Sequence, residues 1–157
     1  MQQDDSNQRS SQNAGWLTDD EIREMDEKEW AERLTPEQYR VLRQAGTERP
    51  WMNRFNDFKA EGRFVCAGCG NPLYDSSAKY DSGSGWPSFD RPVAGEAVTE
   101  RVDVSHGMRR TEVLCARCHG HLGHVFPDGP ATTGMRYCMN SAAMAFLPAD
   151  SEEKGDG

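Results

Sequence analysis

Two copies of a Cys-x-x-Cys pair constrain this chain more than any other feature: Cys66-Ala67-Gly68-Cys69 and Cys115-Ala116-Arg117-Cys118. Each follows a short apolar run, Phe64-Val65 and Val113-Leu114, that reads as a strand. Two such pairs are the signature of a tetrahedral four-thiolate metal site, with one structural zinc ion as the expected occupant. The first pair has small residues between its cysteines and a glycine after it, so that loop can turn both sulfurs toward one ion. The 45 residues between the pairs exceed the usual zinc-finger spacing, so the clamp would tie distant parts of one domain together. Metal binding then supplies folding energy directly, which suits a small body with a thin core. A redox Cys-x-x-Cys would want a thioredoxin-like strand–helix context, which is absent. A catalytic metal keeps one position open, and four thiolates leave none. His119 and His121 are near enough to Cys118 to replace a thiolate, but four cysteines suffice.

At 157 residues there is room for one ordinary domain. The formal charge of -8 sits at the ends: residues 1–34 carry ten acids and four bases, residues 149–157 four acids and one base. Residues 35–148 are nearly neutral, with twelve acids and thirteen bases. Acidic ends repel polyanions, and a zinc ribbon for nucleic acid would show a basic stripe, so no nucleic-acid partner is expected. No run of 18 apolar residues is present, and no membrane association is expected. The N-terminus lacks the apolar core of a secretory signal, and Asp4 and Asp5 argue against a transit peptide. The expectation is a cytoplasmic protein, and a monomer. In that compartment disulfides are disfavoured for the five cysteines.

The sequence predicts a disordered polar and acidic arm over 1–29, a folded domain over 30–148 and a disordered acidic tail over 149–157. Over 18–33 Ile22, Met25 and Trp30 are scattered among acids, which fits a helical lead-in or a solvated arm; the arm is the expectation, with order beginning near Trp30. Thr35-Pro36-Glu37-Gln38 is a helix start, with Thr35 as cap, proline at the first position and Gln38 closing a capping box. Gly46 is the expected terminator. Beyond it, short runs such as 63–65, 98–104 and 111–114 alternate with Gly, Pro, Asn and Asp clusters. Val98, Val102 and Val104 share one parity, and His106-Gly107 can make a hairpin turn. The fold expected is mainly β and antiparallel, with short N-terminal helices.

Four clamp cysteines leave Cys138 unpaired, in Arg136-Tyr137-Cys138-Met139-Asn140. On a strand Arg136, Cys138 and Asn140 share one face, with Tyr137 and Met139 on the other. A thiol between a cation and an amide points to reactivity, whereas an inert core cysteine would have apolar neighbours. Nucleophiles need activation, and His119, His121 and His124 lie just upstream. In a regular strand His121 and His124 point to opposite faces, so both reach one pocket only if Gly123 bends or bulges the chain. Trp86, among turn residues in 82–89, is a candidate apolar wall for a small ligand. The competing reading is a metal-stabilised β module that binds a ligand and leaves Cys138 idle.

From about Trp30 to Leu147 the sequence resembles the methionine-R-sulfoxide reductases, the B-type family. The matching stretches are Leu34 to Tyr39, Gly46-Thr47-Glu48-Arg49-Pro50, both Cys-x-x-Cys pairs, Ser82 to Phe89, His121 to Gly129 and Arg136 to Asn140. The resemblance implies two small antiparallel sheets in a tent-like arrangement, with zinc on Cys66, Cys69, Cys115 and Cys118 away from the active site. It implies reduction of the R epimer of methionine sulfoxide, free or in proteins, with Cys138 as nucleophile and a sulfenic acid as product. His121 and His124 would surround the sulfoxide oxygen and Asn140 would line the site. Trp86 would receive the substrate methyl, with Asp128 and Arg136 orienting its ring and Phe126 also in the substrate site. Ser84 stands where many members have a recycling cysteine, so no internal disulfide at Cys138 is expected. Thioredoxin or a small thiol would then be the reductant. Met139, where valine or isoleucine is usual, is expected to be tolerated on the buried face.

Overall fold

The computed structural model describes residues 16–149. The disorder expected for residues 1–15, and for the tail beyond 149, lies outside the described residues.

Among the described residues three short helices come first: α1 (Asp19–Glu24), α2 (Glu27–Arg33) and α3 (Pro36–Gln44). Each begins at a reciprocal capping box, Thr18 with Glu21, Asp26 with Glu29, and Thr35 with Gln38, so backbone donors left free at each start are satisfied locally. The arm expected to be disordered through residue 29 is therefore helical from Asp19. Helices this short are marginal alone, and what holds them is contact with the cysteine pairs. Trp30 is buried beneath the Arg43 guanidinium, which lies 4.6 Å from the ring centre. Arg117 donates from Nη2 to the Leu17 carbonyl at 2.9 Å and pairs with Asp19 at 2.7 Å. At the end of α3 the left-handed residue is Ala45 (φ 56°) rather than Gly46, whose N–H closes on the Arg40 carbonyl at 2.9 Å.

The body is two antiparallel sheets. The smaller has order β2-β1-β9, from β1 (Gly62–Cys66), β2 (Pro72–Asp75) and β9 (Met144–Pro148). The larger has order β3-β4-β8-β7-β6-β5. Its strands are β3 (Lys79–Tyr80), β4 (Ser88–Phe89), β5 (Val98–Asp103), β6 (Arg110–Cys115), β7 (His121–Phe126) and β8 (Arg136–Met139). Aromatic rings join the sheets: Phe64 of β1 meets Phe89 of β4 edge-on at 5.2 Å, and Tyr74 of β2 stacks on Phe89 at 4.4 Å. Such pairs add roughly 0.5–1.5 kcal/mol each beyond the area they bury.

No α-helix lies between α3 and the end of β9, as the loss of helical period after residue 46 predicts. The β5–β6 hairpin is closed by residues 104–109, within which His106 (φ 58°) and Gly107 (φ 69°) are consecutive left-handed residues that reverse the chain. The valine parity of 98–104 does not mark a buried face. Val98 is buried, but Val102 on this edge strand and Val104 just beyond it are 53% and 66% exposed. No helix among the described residues is long and apolar enough to cross a membrane.

Candidate active site

The four clamp cysteines come from two turns, one closing β1 and one joining β6 to β7. Sγ of Cys66 lies 3.7 Å from that of Cys118, and Sγ of Cys69 lies 3.6 Å from that of Cys115. All four sulfurs are buried and within 4.8 Å of one another. Thiolates bonded at about 2.3 Å to one tetrahedral ion sit about 3.8 Å apart, so the cluster has the dimensions of a metal site. Arginines tie the outer carbonyls of the turns: Arg33 donates to the Gly68 carbonyl at 2.9 Å and Arg43 to the Cys118 carbonyl at 3.0 Å. The Cys115 N–H bonds the Gly120 carbonyl at 2.9 Å, so the turn that carries two ligands also fixes where β7 begins.

β7 runs from that turn to the fifth cysteine. The β6–β7 register slips by one residue: Leu114 pairs with His121, yet Val113 pairs with Gly123, and Leu122 is the extra residue of a bulge. Leu114 and Glu112, the partners of His121 and His124, are two apart and share a face. The bulge therefore brings both imidazoles to one side, with ring centres 5.4 Å apart. Gly123 is required at this point, because a Cβ there would come within 2.1 Å of the Cys138 carbonyl oxygen.

In β8, Cys138 is paired across the ladder with His124 on one side and Ser88 of β4 on the other. Directly opposed residues project to the same face, so thiol, imidazole and hydroxyl share it. Cys138 is half-buried and its Sγ lies 3.8 Å from the Ser84 hydroxyl. Burial pushes its pKa above the ordinary thiol value, opposed by the Ser84 hydrogen bond and the Arg136 charge, so at neutral pH the resting group is a thiol. It opens on a cavity of about 80 Å³ whose walls include Trp86, Phe126, His124, Asn140 and Thr47. A wider cleft of about 610 Å³ near Arg40, Arg49 and Arg54 contains no thiol, so its greater volume does not make it the reacting centre.

Arg136 forms a two-point bridge to Asp128, at 2.8 and 3.2 Å, and lies 4.3 Å over the Phe126 ring. That bridge holds the Asp128 carboxyl below its usual range. The partner of the Trp86 indole N–H is the Glu48 carbonyl at 3.1 Å. Among the described residues neither Asp128 nor Arg136 hydrogen-bonds that ring, so its anchor lies on the Glu48 side. Asn140, buried, donates from Nδ2 to the Leu122 carbonyl at 3.0 Å and accepts from the Glu48 N–H at 3.0 Å, bracing the bulge against the loop. His119 is exposed and takes no part in either site.

Three carboxylates here have no local sequence signal that singles them out. Glu112 accepts a hydrogen bond from His121 Nδ1 at 2.6 Å and is itself held by Arg101, while His121 Nε2 is buried without a partner among the described residues. Burial lowers the His121 pKa, opposed by the Glu112 hydrogen bond. Asp103 accepts from His124 Nε2 at 2.8 Å, which holds its carboxyl well below the usual range, and it also meets Arg110 at 3.3 Å. Glu48 is buried, and its carboxylate accepts from the Ser141 and Ala142 N–H groups just beyond Asn140. Burial raises its pKa against the pull of those two donors. Glu48 lay inside a matching stretch, but nothing local distinguishes its carboxylate from an exposed one.

Fold and site define a class: a small antiparallel β protein clamped by four buried cysteines, presenting one separate thiol beside two carboxylate-backed histidines. The SelR domain model matches residues 34–148. A peptide methionine sulfoxide reductase MsrB of Thiobacillus denitrificans is 57% identical over 122 residues, 78% of this chain and 92% of the relative. Proteins of the same name from Bradyrhizobium diazoefficiens and Hahella chejuensis are 56% and 53% identical, over 83% and 86% of this chain and 94% and 96% of theirs. The chain belongs to the SelR family, that of the B-type methionine sulfoxide reductases.

Proposed function

We propose that this protein reduces the R epimer of methionine sulfoxide, free or in polypeptides, through Cys138. The observation that carries the reading is the His124–Cys138 pair across β7 and β8, opening on a cavity walled by Trp86. The Cys138 sulfur attacks the sulfoxide sulfur, and the S–O bond breaks as the oxygen is protonated and leaves as water. That water then bonds to the Cys138 sulfur and loses a proton, breaking the new S–S bond, whose electron pair goes to the methionine sulfur. Methionine leaves and Cys138 becomes a sulfenic acid, two electrons having passed from the thiol to the substrate. His124 lines the cavity and is the proton donor; His121, with Nε2 free and Nδ1 fixed by Glu112, hydrogen-bonds the oxygen beside it. The indole of Trp86 packs the S-methyl group, since sulfur and aromatic rings attract modestly. Separate sockets for methyl and oxygen give the stereochemical choice.

The sulfenic acid needs two external thiol equivalents. The first displaces water to leave a mixed disulfide, and the second frees Cys138. Ser84, 3.8 Å from Cys138 Sγ, cannot do this, which makes thioredoxin or a small thiol the reductant. Ser84→Cys is expected to form an internal disulfide after one turnover, read as loss of both thiols on titration; persistence of both would show that the sulfurs do not meet. Zinc is the ion for the clamp, held by Cys66, Cys69, Cys115 and Cys118; it stabilises the fold and takes no part in the chemistry. The direct test is racemic methionine sulfoxide with dithiothreitol, followed by chiral analysis. Consumption of the R form alone is expected. Both forms left untouched, or loss of the S form, overturns the reading.

A further inference from the structure

The segment from Arg49 to Arg54, absorbed neither by the clamp nor by the pocket, is fastened firmly to the loop that carries Trp86. Gly85 accepts at its carbonyl from the Trp51 N–H at 2.7 Å and from Asn53 Nδ2 at 2.9 Å. Asn53 also accepts from the Ser141 hydroxyl at 2.8 Å. The Trp51 ring lies against Gly85, where a Cβ would come within 3.0 Å of the indole. Although the backbone is pinned, the side chains turn outward. Trp51 is 59% exposed and Met52 82%. Trp51 also adopts φ 71°, a left-handed conformation costly for a bulky residue. A strained backbone that offers an indole to solvent, next to a reacting pocket, is the pattern of a binding device.

The charge here is the reverse of the chain's. Arg40, Arg49 and Arg54 line the wide cleft beside this segment, and Thr47 lines both that cleft and the Cys138 cavity. Arg49 and Arg54 are exposed and form no ion pair among the described residues. The acids lining the cleft are Glu37 and Glu48, and the Glu48 carboxylate is already committed to the Ser141 and Ala142 N–H groups. A protein of net charge -8 thus sets guanidiniums at the edge of its reactive cavity.

We infer that this rim docks the polypeptide flanking an oxidised methionine, selecting acidic residues through Arg49 and Arg54 and apolar ones through Trp51 and Met52. The inference rests on the reductase reading. Exposed charges at an interface rim act through opposite potential, so the selection weakens as salt rises.

The test compares free methionine-R-sulfoxide with two oxidised-methionine peptides, one flanked by Asp and Glu, the other by Lys and Arg. The native protein should prefer the acidic peptide by kcat/KM, and the preference should shrink between 50 mM and 500 mM salt. Arg49→Glu and Arg54→Glu, made singly and together, should cut kcat/KM on the acidic peptide. Two exposed pairs of about 0.2–1 kcal/mol each predict a fall of roughly two- to thirtyfold for the double change. Turnover of the free amino acid should stay the same. Trp51→Gly, which relieves the strained φ and should not lower the melting temperature, should weaken both peptides alike. Equal kcat/KM for both peptides in the native protein, or parallel losses on free and peptide substrates in the variants, overturns the docking rim. Absence of turnover on every substrate in the native protein overturns the reductase reading instead.

Discussion

The clamp and the pocket use the same side chain for opposite ends. At the clamp four sulfurs are buried against one another, and around Cys66 and Cys115 the neighbouring polar groups are backbone and amide donors. The Gly68 N–H lies 3.4 Å from Cys66 Sγ, and Asn71 Nδ2 lies 3.7 Å from Cys115 Sγ. At the pocket one half-buried sulfur faces a hydroxyl, an imidazole and a guanidinium. A closed shell of thiolates leaves no open position for a reactant, whereas a single sulfur at a cavity wall leaves one face free. Sulfur acquires its role from the number of its neighbours and from access. The two regions are mechanically linked through β7, whose start is fixed by the clamp turn and whose bulge aims the histidines.

The largest effect should come from breaking the clamp. Cys115→Ser, or stripping metal with a strong chelator, should unfold the domain, because zinc contributes about 10–16 kcal/mol in small four-ligand sites while a whole domain is stable by about 5–15 kcal/mol. A melting temperature unmoved by metal removal would contradict the assignment. Cys138→Ser should instead abolish turnover and leave metal content and melting temperature as they were. Surviving activity would mean that another group attacks the sulfoxide. Less severe is His124→Asn: loss of a proton donor should lower kcat by roughly 10²–10⁴-fold, with little change in metal content.

The smallest effect is on the thiol's titration. With its pKa raised by burial, Cys138 should be alkylated slowly by iodoacetamide at pH 7, the rate climbing as pH passes the ordinary thiol value. Arg136→Met removes a charge that favours the thiolate, so the climb should move to still higher pH. A shift to lower pH would show that Arg136 acts mainly through packing on Phe126. If Cys138 titrated together with the clamp sulfurs, the division between the two regions would itself fail.

Much of this was legible because local signals carried it. The paired cysteines, the Thr35 capping box and the His106-Gly107 turn each need only a few adjacent residues to be recognised. The bulge was legible as a condition: two histidines three apart cannot share a strand face without one. The helices over 19–33 are legible only as one of two alternatives, a helical lead-in or a solvated arm, although Thr18-x-x-Glu21 and Asp26-x-x-Glu29 are capping boxes too. Their acidic, weakly apolar surfaces resemble an unfolded arm until Arg117, Arg43 and the clamp turns give them something to pack on.

Sequence by itself determined the four-cysteine cluster, the unpaired thiol, the family and the antiparallel class, because residue type and spacing suffice for each. Tertiary structure decided which carboxylate backs which histidine, that Glu48 and not Asp128 or Arg136 anchors the Trp86 indole N–H, and that burial pushes the Cys138 thiol up against the pull of Ser84 and Arg136. These depend on contacts between segments distant in the chain, as Glu48 is from Ser141, and on burial. Both arise only when the sheets close over the Phe64 and Phe89 core.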